Sequence, residues 1–122
     1  MKIFFDGGNY KNRVCYHDSS ISKTVVKEFN HKDYTNNELE YKALIEAIKY
    51  TNKKGYKKPL FIGDSRLVIN QVWYGWKINH KHLKELYYQV IDIVPISADG
   101  KWVRRDMNLA GIHLENLKRK GR

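Results

Sequence analysis

The stretch TNNELEYKALIEAIKYTNKKG, residues 35–55, decides the fold, because the apolar pattern changes period there. Leu44, Ala47, Ile48 and Thr51 recur at helical spacing, and Gly55 is a natural stop for the helix they imply. Asn36-Asn37 offers its cap. Upstream, the runs KIFF (2–5), RVCY (13–16) and KTVVK (23–27) are short and rich in β-branched and aromatic residues. The turn residues Asp18-Ser19-Ser20 separate the second run from the third, so three strands in an antiparallel meander are expected.

Downstream the two periods alternate. KPLFIGD (58–64) reads as a strand, and SRLVINQVWYGW (65–76) as a helix ended by Gly75. HKHLKELYYQVIDIV (80–94) places Leu83, Leu86, Tyr87 and Val90 on one helical face, and Pro95 forbids its continuation. Lys101–Arg104 reads as a last strand, and Asn108 caps a final helix running to Lys120. The order is three strands, a helix, a strand, two helices, a strand and a helix. It predicts a mixed α/β sheet, a meander followed by crossovers, in one domain covering residues 1–122.

The chain of 122 residues has a hydrophobic fraction of 42% and an aromatic fraction of 13%, enough for one packed core. Lys and Arg number 23 against 13 Asp and Glu, a net charge of +10. That excess favours a polyanionic partner, nucleic acid first. A membrane partner is not expected: no basic helix has a spare apolar face, and no apolar run approaches the ~20 residues of a span. The lone Cys15 rules out an internal disulfide, fits a reducing, cytoplasmic setting, and reads as an inert core residue.

Three carboxylates break the pattern. Glu40 lies on the same helical face as Leu44, Ala47, Ile48 and Thr51, a costly place for a charge without a partner. Glu38 falls on another face and can be solvated. Asp6 and Asp64 each end an apolar strand, KIFFD and PLFIGD. If those strands are parallel neighbours, both acids emerge at the sheet edge where open α/β sheets hold their ligands. Three carboxylates in one place repel unless a cation neutralises them, and oxygen ligands without Cys or His suit Mg²⁺ or Mn²⁺. A basic protein with such a site points to phosphodiester chemistry.

DGG (6–8), TNNELEYKALIEAI (35–48), GDSRLVINQV (63–72) and WKINHKHLKEL (76–86) occur in the order and spacing of one family. The chain resembles a type 1 ribonuclease H over nearly its full length. The resemblance implies a five-stranded sheet of order 3-2-1-4-5 with strand 2 antiparallel. It also implies two-metal hydrolysis of the RNA strand of an RNA/DNA hybrid; the chain is expected to be a monomer. By the same resemblance Asp6, Glu40 and Asp64 hold Mg²⁺, or Mn²⁺, and Gly7 and Gly8 let the RNA strand come close. Asn36 and Asn37 match positions that recognise the RNA, while Ser65 and Trp76 would lie along the DNA-strand groove.

The pattern departs at the C-terminus, where the family carries a fourth acid four residues after an asparagine. Here Ile112 lies four residues after Asn108, and a one-residue deletion puts Gly111 there instead. Asp106 and Glu115 remain as alternatives for that acid. The family's mobile histidine has no counterpart, since His113 comes too late. The gap keeps two other readings open: a nucleic-acid-binding module on the same fold, and a related nuclease acting on DNA.

Overall fold

The computed structural model describes residues 1–30 and 32–122. Strand β1 (Lys2–Gly8) lies at the centre of a five-stranded sheet, antiparallel to β2 (Arg13–Asp18), which pairs antiparallel with β3 (Lys23–Glu28). On its other side β1 runs parallel to β4 (Leu60–Gly63), and β4 parallel to β5 (Asp99–Trp102). The order is β3-β2-β1-β4-β5, as expected, with β3 and β5 as edges. Helix α1 (Asn36–Lys54) lies on one face, with α2 (Arg66–Trp73) and α3 (Lys81–Ile93) beside it, and α4 (Leu109–Arg119) packs on β1 and β2. Among the described residues, no helix is long and apolar enough to cross a membrane.

The core forms where α1 meets β1. Ile3, Phe5 and Phe61 face Leu39, Leu44, Ala47 and Ile48, all inaccessible to solvent. One backbone contact sets this packing. A Cβ at Gly7 would lie 2.2 Å from the Leu39 carbonyl oxygen, so only glycine lets the first turn of α1 sit on the strand. The absent side chain of Gly7 therefore makes room for the helix, whereas around Gly8 the space is open.

Several local expectations need correction. The cap of α1 is Thr35, not Asn36-Asn37: its Oγ1 accepts from the Glu38 N–H at 3.1 Å. Glu38 returns the bond, its carboxylate accepting from the Thr35 N–H at 3.0 Å, so it is buried in a capping box and not solvated. The last strand begins two residues earlier than expected. Asp99-Gly100 looks like a turn, but the Trp73 ring fills the space where a Gly100 Cβ would stand, 2.0 Å away. Helix α2 stops at Trp73, short of the positive φ of Gly75. Short 3₁₀ turns at Tyr10–Asn12 and Arg105–Met107 were not legible from the pattern. Cys15 is buried as expected, and burial pushes its thiol up to about 12.

Gly7→Ala is expected to destabilise the fold by about 3 kcal/mol, because the clash is with main chain that has no rotamer to change. Urea unfolding of the variant and the parent measures it.

Candidate metal centre and nucleic-acid cleft

The register of β1 and β4 pairs Phe4 with Ile62. Carried two residues further, it sets Asp6 opposite Asp64 at the same sheet edge. Glu40 arrives from the first turns of α1, and its Oε1 accepts from the Gly7 N–H at 2.8 Å. Oxygen atoms of Asp6, Glu40 and Asp64 all lie within 4.8 Å of one another.

Two further residues hold Asp64. Asn108 caps α4 by accepting from the Ala110 N–H, while its Nδ2 donates to the Phe5 carbonyl at 2.9 Å and to Asp64 Oδ2 at 3.3 Å. The Trp102 Nε1–H donates to the Asp64 carbonyl at 3.1 Å. Sequence reasoning gave Asn108 only the capping role and missed its link to Asp64. The signal available was an asparagine at a cap that is also fully buried, which only the fold reveals.

Electrostatics set the chemistry of the group. Burial, reinforced by the charge of Asp64, pushes the Asp6 carboxyl up to about 7. Burial and then the charges of Asp6 and Asp64 push Glu40 well above the usual carboxylate range. The neighbouring cation, Arg105, has its Nε 4.0 Å from Asp64 Oδ2, but its side chain is 90% exposed and screened by water. Three carboxylates, Glu40 buried and Asp6 and Asp64 half-buried, short of positive charge and with no sulfur or imidazole among them, fit a hard divalent cation such as Mg²⁺ or Mn²⁺.

Asp6 and Glu40 open into a cleft of about 920 Å³ between the end of β1 and α4. Gly8, Asn36, Asp106 and Glu115 line it. Asn36 Oδ1 accepts from the Asn9 N–H at 2.9 Å, tying α1 to the β1–β2 turn. Asn37 is exposed at the start of α1. Asp106 is exposed and lies 3.4 Å from Arg104, and Glu115 is exposed on α4; the structure leaves both outside the three-acid group. The residue facing the acids from α4 is Gly111, whose Cβ would stand 3.4 Å from Asp6 Oδ2 and from Asp64 Oδ2. Ser65 spends its hydroxyl capping α2 at the Val68 N–H, and Trp76 is half-exposed after α2; neither lines this cleft.

Residues 14–114 match the family model described as reverse transcriptase-like. The chain belongs to this ribonuclease H-like family. The bifunctional protein Rv2228c of Mycobacterium tuberculosis is 32% identical over 84 residues, which are 67% of this chain. The chain spans only 23% of the length of that relative. The solved N-terminal RNase H domain of the same protein superposes with a TM-score of 0.73 at 26% identity, covering 93% of each chain. RNase H1 of the archaeon Halobacterium salinarum gives 0.72 at 23% identity, over 94% of this chain and 97% of that one. LC11-RNase H1, solved with an RNA/DNA hybrid, gives 0.71 at 22% identity and 88% coverage of both chains. Fold and family are therefore those of ribonuclease H-type nucleases.

Two measurements check this account of the centre. Asp6 binds its proton more tightly folded than unfolded, so its stabilising effect is full below about pH 4 and is lost as pH rises through about 7. In chelator, Asp6→Asn should therefore melt like the parent at pH 4 and higher than the parent at pH 8. Gly111→Asp adds a carboxylate to the open side of the group. It should lower the melting temperature in chelator at pH 8 and tighten Mn²⁺ binding about tenfold by calorimetry.

Proposed function

We propose that the chain is a metal-dependent endoribonuclease that hydrolyses the RNA strand of RNA/DNA hybrids. The observation that carries this reading is the convergence of Asp6, Glu40 and Asp64, the first two lining an open cleft, in a protein of net charge +10. A divalent cation bound there supplies Lewis-acid charge for phosphodiester hydrolysis. The residues of the chain position it. Gly7 holds the Glu40 carboxylate from the main chain, and Asn108 holds Asp64 from the cap of α4.

Asn36 supports the choice of strand. Its acceptor is occupied by the Asn9 N–H, so its Nδ2 donors are what it can offer a strand in the cleft. A 2′-hydroxyl accepts such a bond and is what separates RNA from DNA. Gly8, with open space around it, presents bare main chain beside the acids. The hybrid solved with LC11-RNase H1 is the partner that this cleft would take.

One observation favours a second reading, a binding module without catalysis. Gly111 occupies the fourth side of the acid group, and no fourth carboxylate among the described residues reaches it.

A labelled hybrid, a duplex RNA and a duplex DNA, each incubated with Mg²⁺ and with Mn²⁺, test the assignment. Cleavage confined to the RNA of the hybrid is expected, with Asp64→Asn lowering the rate about 100-fold or more. Unchanged activity in Asp64→Asn would sink the proposal, and hybrid binding without cleavage in either metal would favour the second reading.

A further inference from the structure

The cleft has a second pole. From the acids it continues over the β1–β2 turn and along α4 to Tyr10, Arg13, Lys118 and Arg119. Arg13 is the unusual member. It is only 6% exposed, and its Nε donates to Glu28 Oε2 at 3.1 Å, yet its Nη1 has no hydrogen-bond partner among the described residues. A buried donor left empty is costly, and a guanidinium edge is matched by the paired oxygens of a phosphate.

The surroundings gather positive charge. The Arg13 Cζ lies 5.5 Å from the centroid of the Tyr10 ring, and Lys118 Nζ lies 5.6 Å from the same centroid. Lys11 also reaches this ring, at 5.6 Å, but its ammonium donates to the main-chain oxygen of Arg122. Two cations held against one ring repel each other, and the carboxylate nearby, Glu28, is taken by the Arg13 Nε.

The register places this cluster relative to the acids. Asp6 pairs with Cys15 and Gly8 with Arg13, so Arg13 stands on the Asp6 face of the sheet, two positions along, or about 7 Å. On α4, Lys118 follows Gly111 by two turns and returns to nearly the same face, about 10 Å further along. A strand crossing the acids thus meets Arg13 and Lys118 next.

We propose that Arg13 and Lys118, gathered against Tyr10, form an anion subsite for a phosphodiester of the bound nucleic acid, separate from the one at the acids. The proposal rests on the nucleic-acid reading of the same cleft. It does not require that the chain cleave what it binds.

The test is binding of a labelled RNA/DNA hybrid to the full chain in chelator, followed by fluorescence anisotropy across a salt series. Arg13→Met and Lys118→Met are each expected to weaken binding about tenfold. Each should also reduce the slope of log K against log salt by about one. Arg13→Lys should restore the slope but not the full affinity, because it keeps the charge and loses the fork. Lys53→Met, in the last turn of α1 away from the cleft, is the control and should bind like the parent. Circular dichroism establishes that Arg13→Met is folded; if it is not, Lys118→Met, altered at an exposed side chain, decides alone.

Unchanged affinity and slope in the folded variants overturn the subsite. An equal loss in Lys53→Met, or no hybrid binding by the parent in chelator, overturns it too. Cleavage by the parent with parent-like binding in the Arg13 and Lys118 variants removes the subsite and leaves the nuclease reading standing. Binding that depends on Arg13 and Lys118, with no cleavage in Mg²⁺ or Mn²⁺, does the reverse.

Discussion

The N–H of Gly7 donates to Glu40, while the Leu39 carbonyl fills the space where a side chain of Gly7 would be. These two contacts join the central strand to the first turn of the longest helix at a separation that no other residue permits. They fix the depth at which α1 sits on the sheet, and with it the burial of Leu44, Ala47 and Ile48. They also bring a carboxylate to the end of β1, where Asp6 already stands. Core packing and acid convergence are one event in this molecule.

That event leaves the centre electrostatically unfinished. Asp6 and Glu40 are both raised by burial and by their neighbours, and the adjoining arginine is too solvated to compensate them. The arrangement persists because main-chain and amide groups hold it from outside: Gly7 on Glu40, Asn108 and Trp102 on Asp64. The protein uses neutral donors to position Glu40 and Asp64 and so leaves the negative charge of the group largely uncompensated. Elsewhere it treats an acid differently. Burial alone would raise Asp18, but hydrogen bonds from Ser20, Tyr50 and Tyr56 overcome it and hold the carboxyl at about 2. Hydrogen bonds hold Asp18 ionised, whereas at Asp6 and Glu40 burial prevails.

Much of this was legible in the sequence where a physical rule is local. The change from period two to helical spacing gave the element order, and a charge on an apolar helical face gave Glu40. Acids at the ends of two apolar strands gave Asp6 and Asp64. What escaped depended on contacts between distant segments. The start of the last strand at Asp99 shows only once Trp73 is placed against Gly100, and Thr35 loses to the asparagines as a cap until Glu38 is seen to answer it. The C-terminal side of the centre was the hardest to read. A 3₁₀ turn at Arg105–Met107 precedes α4, and counting from Asn108 cannot tell whether Gly111 or Ile112 turns towards the acids. Arg13 was passed over because a basic residue opening a strand is unremarkable until its burial is known.

The outer strand β3 carries a consequence for how copies of the chain behave towards one another. It leaves one rim of the sheet unpaired, and such rims invite a second strand to dock. Lys23, Lys27 and Glu28 are exposed along it, and Lys27 is bound back to Glu46 of α1 at 3.1 Å. Two such rims brought together would have to desolvate lysines and break that tie. Charge along this rim thus raises the cost of pairing β3 with a second strand.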